Sequence, residues 1–200
     1  MKRRIKHHRS KGRVAKLSLK LNKIPEFNEC NNDDLNSRMV ISPSIDYIEE
    51  NFNPSKFDKL SSEPVLEICF KNSNENPSLD IQVQYAPYKA HGGWENIKDD
   101  YVNSIIKIIS KYANNIENCI DSKTLITPDD IEKNYHVSGG HWHHGEIQID
   151  QLFMLRPIPG AAQYKTHLDG LYMCGAGTHP GGGMHGISGK NAAKVVLGDL

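Results

Sequence analysis

NIKDDYVNSIIKIISKYANNI, residues 96–116, is the stretch on which the fold turns. Ile97, Tyr101, Ile105, Ile108, Tyr112 and Ile116 recur three or four residues apart, and Val102, Ile106, Ile109 and Ala113 widen the stripe. That spacing predicts a helix over 96–116 with one broad apolar face. A face of this width needs a large apolar surface to pack on, and a sheet is the expected partner.

The sheet is legible on the N-terminal side. Val14–Leu21, VAKLSLKL, alternates apolar and polar residues as a half-buried strand does, and Ile24-Pro25 ends it. Residues 65–70, VLEICF, and 79–85 alternate in the same way. KNSNENPS, residues 71–78, lies between these two runs and predicts a turn joining neighbouring antiparallel strands. Residues 28–38 are polar and rich in Asn and Asp, which predicts a surface loop. SIDYIEENF, residues 44–52, predicts a short helix with Ser44 as N-cap. Beyond the long helix, Thr127-Pro128-Asp129-Asp130 predicts another helix start, with Thr127 as N-cap, Pro128 in the first helical position and acids in the first turn. From Ser138 glycine and histidine become dense and apolar runs shorten, so a boundary is expected near residue 136. The fold class expected is α+β: an antiparallel sheet with a covering helix over residues 1–136, and a second piece over residues 137–200.

That second piece ends in GLYMCGAGTHPGGGMHGISGKNAAKVVL, residues 170–197. Residues 171–174 predict a short strand. Residues 175–183 hold five glycines and predict a loop, and residues 186–197 predict a helix. Gly186, Gly189 and Ala193 fall on one side of that helix, which suits close approach to a strand or ligand. Glycines let backbone approach a ligand, and a helix N-terminus offers unpaired N–H groups and partial positive charge. A P-loop is excluded, because Met184 stands where its first glycine belongs and Asn191 follows Lys190. A Rossmann fingerprint opens a βαβ unit near the start of its domain, whereas this segment has no second strand behind it. Chemistry alone leaves two readings open, a ligand-binding loop or a glycine-rich turn beneath a packed helix.

GLYMCGAGTHPGGGMHGISGKNAA also resembles the closing FAD-binding motif of phytoene desaturases and carotenoid-oxidoreductase-like flavoproteins, and within them the pyridine nucleotide-disulfide oxidoreductase domain-containing 2 type. Further stretches agree in order: KLSLKLNKIPEF at 16–27, QYAPY at 84–88, Trp94, TPDDIEKNY at 127–135, GGHWHHGE at 139–146 and DQLFMLRPIPG at 150–160. The resemblance implies that residues 1–136 are part of a substrate-binding region. It implies that residues 137–200 carry the last strand and helix of a Rossmann-like FAD domain whose dinucleotide-gripping βαβ unit lies elsewhere. Carried over, Gly175, Ala176, Gly183, Met184, His185 and Gly186 would lie near FAD, and Trp142 and His144 would border the substrate cavity. Many related flavoproteins have Gly-Asp where this chain has Gly175-Ala176, so a carboxylate contact to the ribityl chain is missing, as it is in phytoene desaturases. The implied reaction is flavin-mediated hydride removal from a hydrophobic small molecule. No catalytic residue is implied by number. The implied partner is a separately encoded N-terminal FAD-binding half, and FAD binding by this chain alone is expected to be weak or absent. A non-catalytic binding remnant is the alternative.

His141, His143, His144 and Glu146 invite a metal reading. Only two residues separate His143 from Glu146, fewer than in the cupin pattern, so the expected role is to line a cavity and no metal is expected. A His-rich metal-binding protein stands as a third reading. Arg156-Pro157 suits either a carboxylate partner or a buried structural arginine. Residues 2–16 contain eight Lys or Arg, but no aromatic residue interleaves them and no groove-reading motif follows, so no nucleic-acid partner is expected. The formal net charge of zero agrees. Cys30, Cys69, Cys119 and Cys174 lie far apart with no CxxC, which fits a reducing compartment. The basic start lacks an apolar core, and no run of roughly 18 apolar residues exists, so neither a secretory signal nor a membrane span is expected. The expected location is cytoplasmic, or mitochondrial in a eukaryote.

Overall fold

The computed structural model describes residues 2–28, 30–31, 34–71, 76–183 and 185–199. The chain forms two compact units, Arg13–Asn134 and the pair Met1–Gly12 with Tyr135–Leu200. The strands are β1 (Val14–Leu21), β2 (Arg38–Ile41), β3 (Leu66–Lys71), β4 (Ser78–Gln84) and β5 (Ile120–Ile126). The α-helices are α1 (Lys2–Lys6), α2 (Ile45–Phe52), α3 (Trp94–Ser110), α4 (Pro128–Tyr135) and α5 (Ile187–Asp199).

The first of these units is an antiparallel sheet in the order β2-β3-β4-β1-β5 with α3 packed on it. The two strand-like runs joined by residues 71–78 do pair antiparallel as β3 and β4. Register places Met39, Ile68, Ile81, Leu17 and Leu125 in one row across all five strands. Leu66, Val83 and Ala15 form the next row. These residues share a core with Tyr101, Val102, Ile105, Ile106, Ile108 and Ile109 of α3. The alternation that sends them inward sends Lys16, Ser18, Glu67 and Asp80 to the other face, where Ser18 Oγ donates to Asp80 at 2.7 Å and Lys16 and Lys71 both pair with Asp80.

Local signals fixed the helix starts. Ser44 caps α2 by accepting from Tyr47 N at 3.0 Å. Thr127 Oγ1 accepts from Asp130 N at 3.1 Å, while Thr127 N donates to Asp130 Oδ2 at 2.9 Å, a reciprocal cap that anchors α4. The same carboxylate takes Lys98 Nζ at 2.7 Å and so ties α4 to α3.

Three expectations need correction, and one strand, β5, was not read from the sequence. The long helix is α3, Trp94–Ser110, and does not run on to residue 116. It starts behind Gly92 and Gly93, both at positive φ, and unwinds through Lys111 and Tyr112 into a 3-10 turn, Ile116–Cys119, whose Ile116 is still buried in the core. The polar stretch read as a loop ends in β2 from Arg38, a short edge strand whose pairing partner lies far along the chain; Glu29, Asn32 and Asp33 of that stretch fall outside the described residues. β5 carries no readable alternation because Asp121, Ser122, Lys123 and Thr124 are all exposed, and only pairing with β1 makes it a strand. Residues 171–174 are not a strand. Tyr172 forms a single bridge with Lys165, Met173 N donates to Tyr164 O, and no neighbouring strand in its unit extends the pairing among the described residues.

One polar atom of the core stands out. The Tyr101 hydroxyl is buried without a hydrogen-bond partner among the described residues, and burial pushes its phenol well above the ordinary range. An unpaired buried hydroxyl costs on the order of 1–3 kcal/mol. Tyr101→Phe is therefore expected to leave urea-unfolding stability unchanged or to raise it. Ile105→Ala is expected to lower it by about 2–5 kcal/mol. A clear loss in Tyr101→Phe would show that the hydroxyl has a partner.

Candidate functional site

The glycine- and histidine-rich unit is held together by side chains and short backbone pairings in place of a sheet. Residues 9–12 run alongside residues 139–146: Gly12 N donates to Gly139 O at 2.7 Å and Glu146 N to Arg9 O at 2.9 Å. Gly139 sits at φ +65, and a Cβ there would lie 2.1 Å from Ser10 O, so only glycine admits this approach. Gln151 clamps the same segment, accepting from Arg9 N at 2.8 Å and donating to Arg9 O at 3.0 Å. The Arg9 guanidinium pairs with Asp150 at 2.6 Å and Glu146 at 3.4 Å.

Arg156 is the centre of the unit. It is 1% exposed, and its partners are backbone carbonyls: Ala176 O at 3.1 Å, Gln151 O at 3.5 Å and His143 O. Among the described residues no carboxylate pairs with it, so of the two roles open to Arg156-Pro157 the structure shows the buried structural one. Burial lowers its pKa from the ordinary guanidinium value. Its charge acts in turn on the histidine turn. Burial, then the neighbouring His143 and Arg156, push His141 down to about 4. Burial, then Arg156 and His144, lower His143. The His141 Nδ1 accepts from His143 N at 3.3 Å, and the two ring centroids lie 6.0 Å apart. Among the described residues no three His, Cys, Asp or Glu side chains converge to hold a metal ion.

The glycine loop folds onto this turn. A Cβ at Gly182 would lie 2.6 Å from His143 Nδ1, and one at Gly177 would lie 3.4 Å from His144 Cβ. Thr178 closes the loop by donating to Gly175 O at 2.9 Å. Tyr164 OH donates to His179 O at 2.8 Å and accepts from Asn191 Nδ2 at 3.1 Å, which joins the loop to α5. Of the residues assigned to FAD, Gly175 and Gly186 are exposed at positive φ with open space where a Cβ would be. Ala176 is half-buried, its carbonyl bound to Arg156. Gly183 backs onto His185, and His185 Nδ1 accepts from Ile187 N at 3.1 Å, capping the first turn of α5. Met184 lies outside the described residues. The helix packs through Ser188 and Ala192, so the face carrying Gly186, Gly189 and Ala193 is bare. Residues 181–186, GGGMHG, match the spacing GxGxxG, but no strand leads into them among the described residues, so the context of a dinucleotide fingerprint is missing.

Of the two residues assigned to the substrate cavity, Trp142 is 51% exposed and His144 lines a cavity of about 330 Å³. Sequence reading missed that His8, Ser10, His136 and Ser138 line this cavity too. The basic N-terminal run gave no sign of it, because the pairing with residues 139–146 is wholly non-local.

These features, a five-stranded antiparallel α+β unit followed by a glycine loop and closing helix, agree with a portion of an oxidoreductase. No family model matches the chain. The mouse pyridine nucleotide-disulfide oxidoreductase domain-containing protein 2 is 30% identical over 99% of this chain, and the rat protein of that name matches equally. A limonene dehydrogenase component of Castellaniella defragrans is 33% identical over 61% of the chain and 22% of its own length. A 4,4'-diapophytoene desaturase of Staphylococcus aureus is 29% identical over 53% of the chain and 20% of its own length. The chain is therefore a relative of the desaturase-like oxidoreductases and resembles the domain-containing protein 2 type from end to end. It spans 37% of the length of the mouse and rat proteins.

Two outcomes check this geometry. The folded-state value for His141, about 4, lies below the ordinary 6.5. The unfolded chain therefore takes up the proton first. The contribution of His141 to stability is fully present above about 6.5 and is lost as pH falls toward about 4. An NMR titration of the imidazole Cε1–H should show His141 neutral at mildly acidic pH, and a ring titrating near its ordinary value would contradict the burial seen here. In addition, Gly139→Ala is expected to cost about 1–3 kcal/mol from strain and backbone clash. Gly189→Ala, on an open helix face, should stabilise by about 0.5–1 kcal/mol, as measured by thermal or urea unfolding.

Proposed function

We propose that this chain is the C-terminal part of a FAD-dependent oxidoreductase of the desaturase or dehydrogenase kind, acting by hydride removal from a hydrophobic substrate. The observation that carries the reading is the match over 99% of the chain to a protein of which it spans 37%. Residues 13–134 are the substrate-binding part in this reading, and the glycine- and histidine-rich unit is the returning part of the FAD domain.

The residues present fit one side of such a cofactor. Gly175 and Gly186 leave open space at the surface, and the bare face of α5 offers backbone without side chains. FAD, when bound, supplies the hydride acceptor. The chain's own part is to position and exclude. Arg156 fixes the glycine loop through Ala176 O and the histidine turn through His143 O. The N–H groups at the start of α5 would be available to the ring end of the bound cofactor, apart from that of Ile187, which His185 already holds. Trp142 and His144 border the substrate cavity, their exposure here supplying the wall of a space closed by the rest of the protein. Exposed Ile149, Phe153, Met154, Leu171 and Leu197 support that reading, since apolar surface of this extent marks a face that is covered.

Purified alone, the chain should be colourless at the flavin bands, and added FAD should barely raise its melting temperature. A long flexible ligand held only at its ring end does not recover the entropy of its ordering. Co-purified with a partner carrying the dinucleotide-binding segment, the chain should be yellow. In that complex Gly186→Val, and Gly189→Val on the neighbouring turn, should release flavin. Because the site of Gly189 is open in this chain, its variant should leave the isolated fold nearly as stable as before. A yellow, stoichiometrically flavinylated monomer would overturn the assignment.

A further inference from the structure

We propose that the cavity of about 330 Å³ in the glycine- and histidine-rich unit is a binding site for a small monocarboxylate with an apolar body. The site needs no flavin, although it shares His144 with the substrate cavity of the reading above. Its apolar wall is Ile5, Pro157, Ile158 and Met173, drawn from the N-terminal segment and two later stretches of the unit. Its polar wall is three imidazoles, His8, His136 and His144, and two hydroxyls, Ser10 and Ser138; no Asp or Glu lines it. A volume of this size suits a small molecule, and an apolar lining with a few convergent polar groups is the usual composition of a ligand pocket.

The polar wall is built. His136 and His144 are held at φ 57 and 56, a backbone region that L residues occupy at a cost and that clusters at functional sites. The His8 Nε2 donates to the His144 carbonyl at 3.3 Å, so the N-terminal segment braces the histidine turn across the cavity. The hydroxyls and imidazoles can each donate as well as accept, and with no carboxylate on the wall they suit a ligand whose head accepts hydrogen bonds.

Charge around the cavity selects an anion. Arg4 Nη1 donates to Pro159 O at 2.6 Å and lies 3.7 Å from where a Cβ of Gly160 would stand, which sets a guanidinium beside the turn that forms the Pro157–Ile158 wall. Among the described residues no carboxylate pairs with Arg4. The acids of the neighbouring segment, Glu146 and Asp150, are both engaged by Arg9. Arg4 is thus a cation beside the turn that walls the cavity, and with no carboxylate lining the cavity a cationic amphiphile lacks a matching partner there.

Sodium octanoate is the probe, with octan-1-ol and octylammonium as controls, titrated into the full chain without FAD and followed by NMR. Octanoate should shift the methyl resonances of Ile5, Ile158 and Met173 and the imidazole resonances of His8, His136 and His144. Arg4→Gln should weaken octanoate roughly two- to fivefold, the size of an exposed ion pair, and leave octan-1-ol unchanged. Ile158→Trp should abolish binding by filling the cavity, and if that variant fails to fold the resonance map of the unmodified chain decides. Absence of shifts at these methyls, equal binding of octan-1-ol or octylammonium, or an Arg4→Gln chain that binds octanoate undiminished would each overturn the proposal.

Discussion

Arg156 buries a guanidinium against three backbone carbonyls, and the glycine- and histidine-rich unit is organised around that contact. Loops without a sheet leave carbonyls that need donors when water is excluded. One planar side chain with several N–H groups supplies donors to the histidine turn, the 3-10 turn at residues 149–151 and the glycine loop together. The uncompensated charge has a second effect. It helps to keep His141 and His143 neutral, so that the His141 Nδ1 stays an acceptor for the turn's own backbone. The same residue that closes the loops also adds to the burial that lowers the pKa of the two rings between them.

The sheet unit is stabilised differently. Its backbone groups are satisfied by ladder bonds, and its side chains follow from the two-residue period of the strands. The row from Met39 to Leu125 meets the buried stripe of α3, and polar residues on the opposite face pair with one another around Asp80. Such a core is self-contained. The other unit has a smaller apolar core, chiefly Ile158, Ala161, Ala162, Tyr164 and Ala192, while Ile149, Phe153 and Met154 stand in solvent. The difference in burial between the two units is consistent with the proposal that the second is the part of a longer oxidoreductase that shares its cofactor surface with segments elsewhere.

The glycines divide into two physical kinds. Gly139 and Gly182 are needed inside this chain, because backbone or a ring already occupies the space of a Cβ, whereas a Cβ at Gly177 would only touch His144. Gly175, Gly186 and Gly189 have open space there; positive φ accounts for glycine at Gly175 and Gly186, and nothing within the chain does so at Gly189. The glycine-rich segment is therefore a tight turn over the histidines in one part and a bare surface beside the closing helix in another, and it is the bare part that the proposed ligand-binding reading uses.

The sequence by itself determined the elements whose cause is local. Alternation in VAKLSLKL, the apolar stripe of residues 97–109, and the Ser44 and Thr127 caps each act within a turn or two of chain, so β1, α3, α2 and α4 were legible. The glycine-rich segment also carried its kinship, as the relatives show. Tertiary structure alone decided β2 and β5, whose side chains are polar or exposed and whose strand form comes from pairing partners far along the chain. It alone decided that residues 171–174 make no strand, since a strand exists only beside another. It also decided the cavity, because His8 and Ser10 meet His144 only when the N-terminal segment pairs across more than a hundred residues of sequence with the turn at 139–146, a contact fixed by backbone hydrogen bonds that no local pattern encodes.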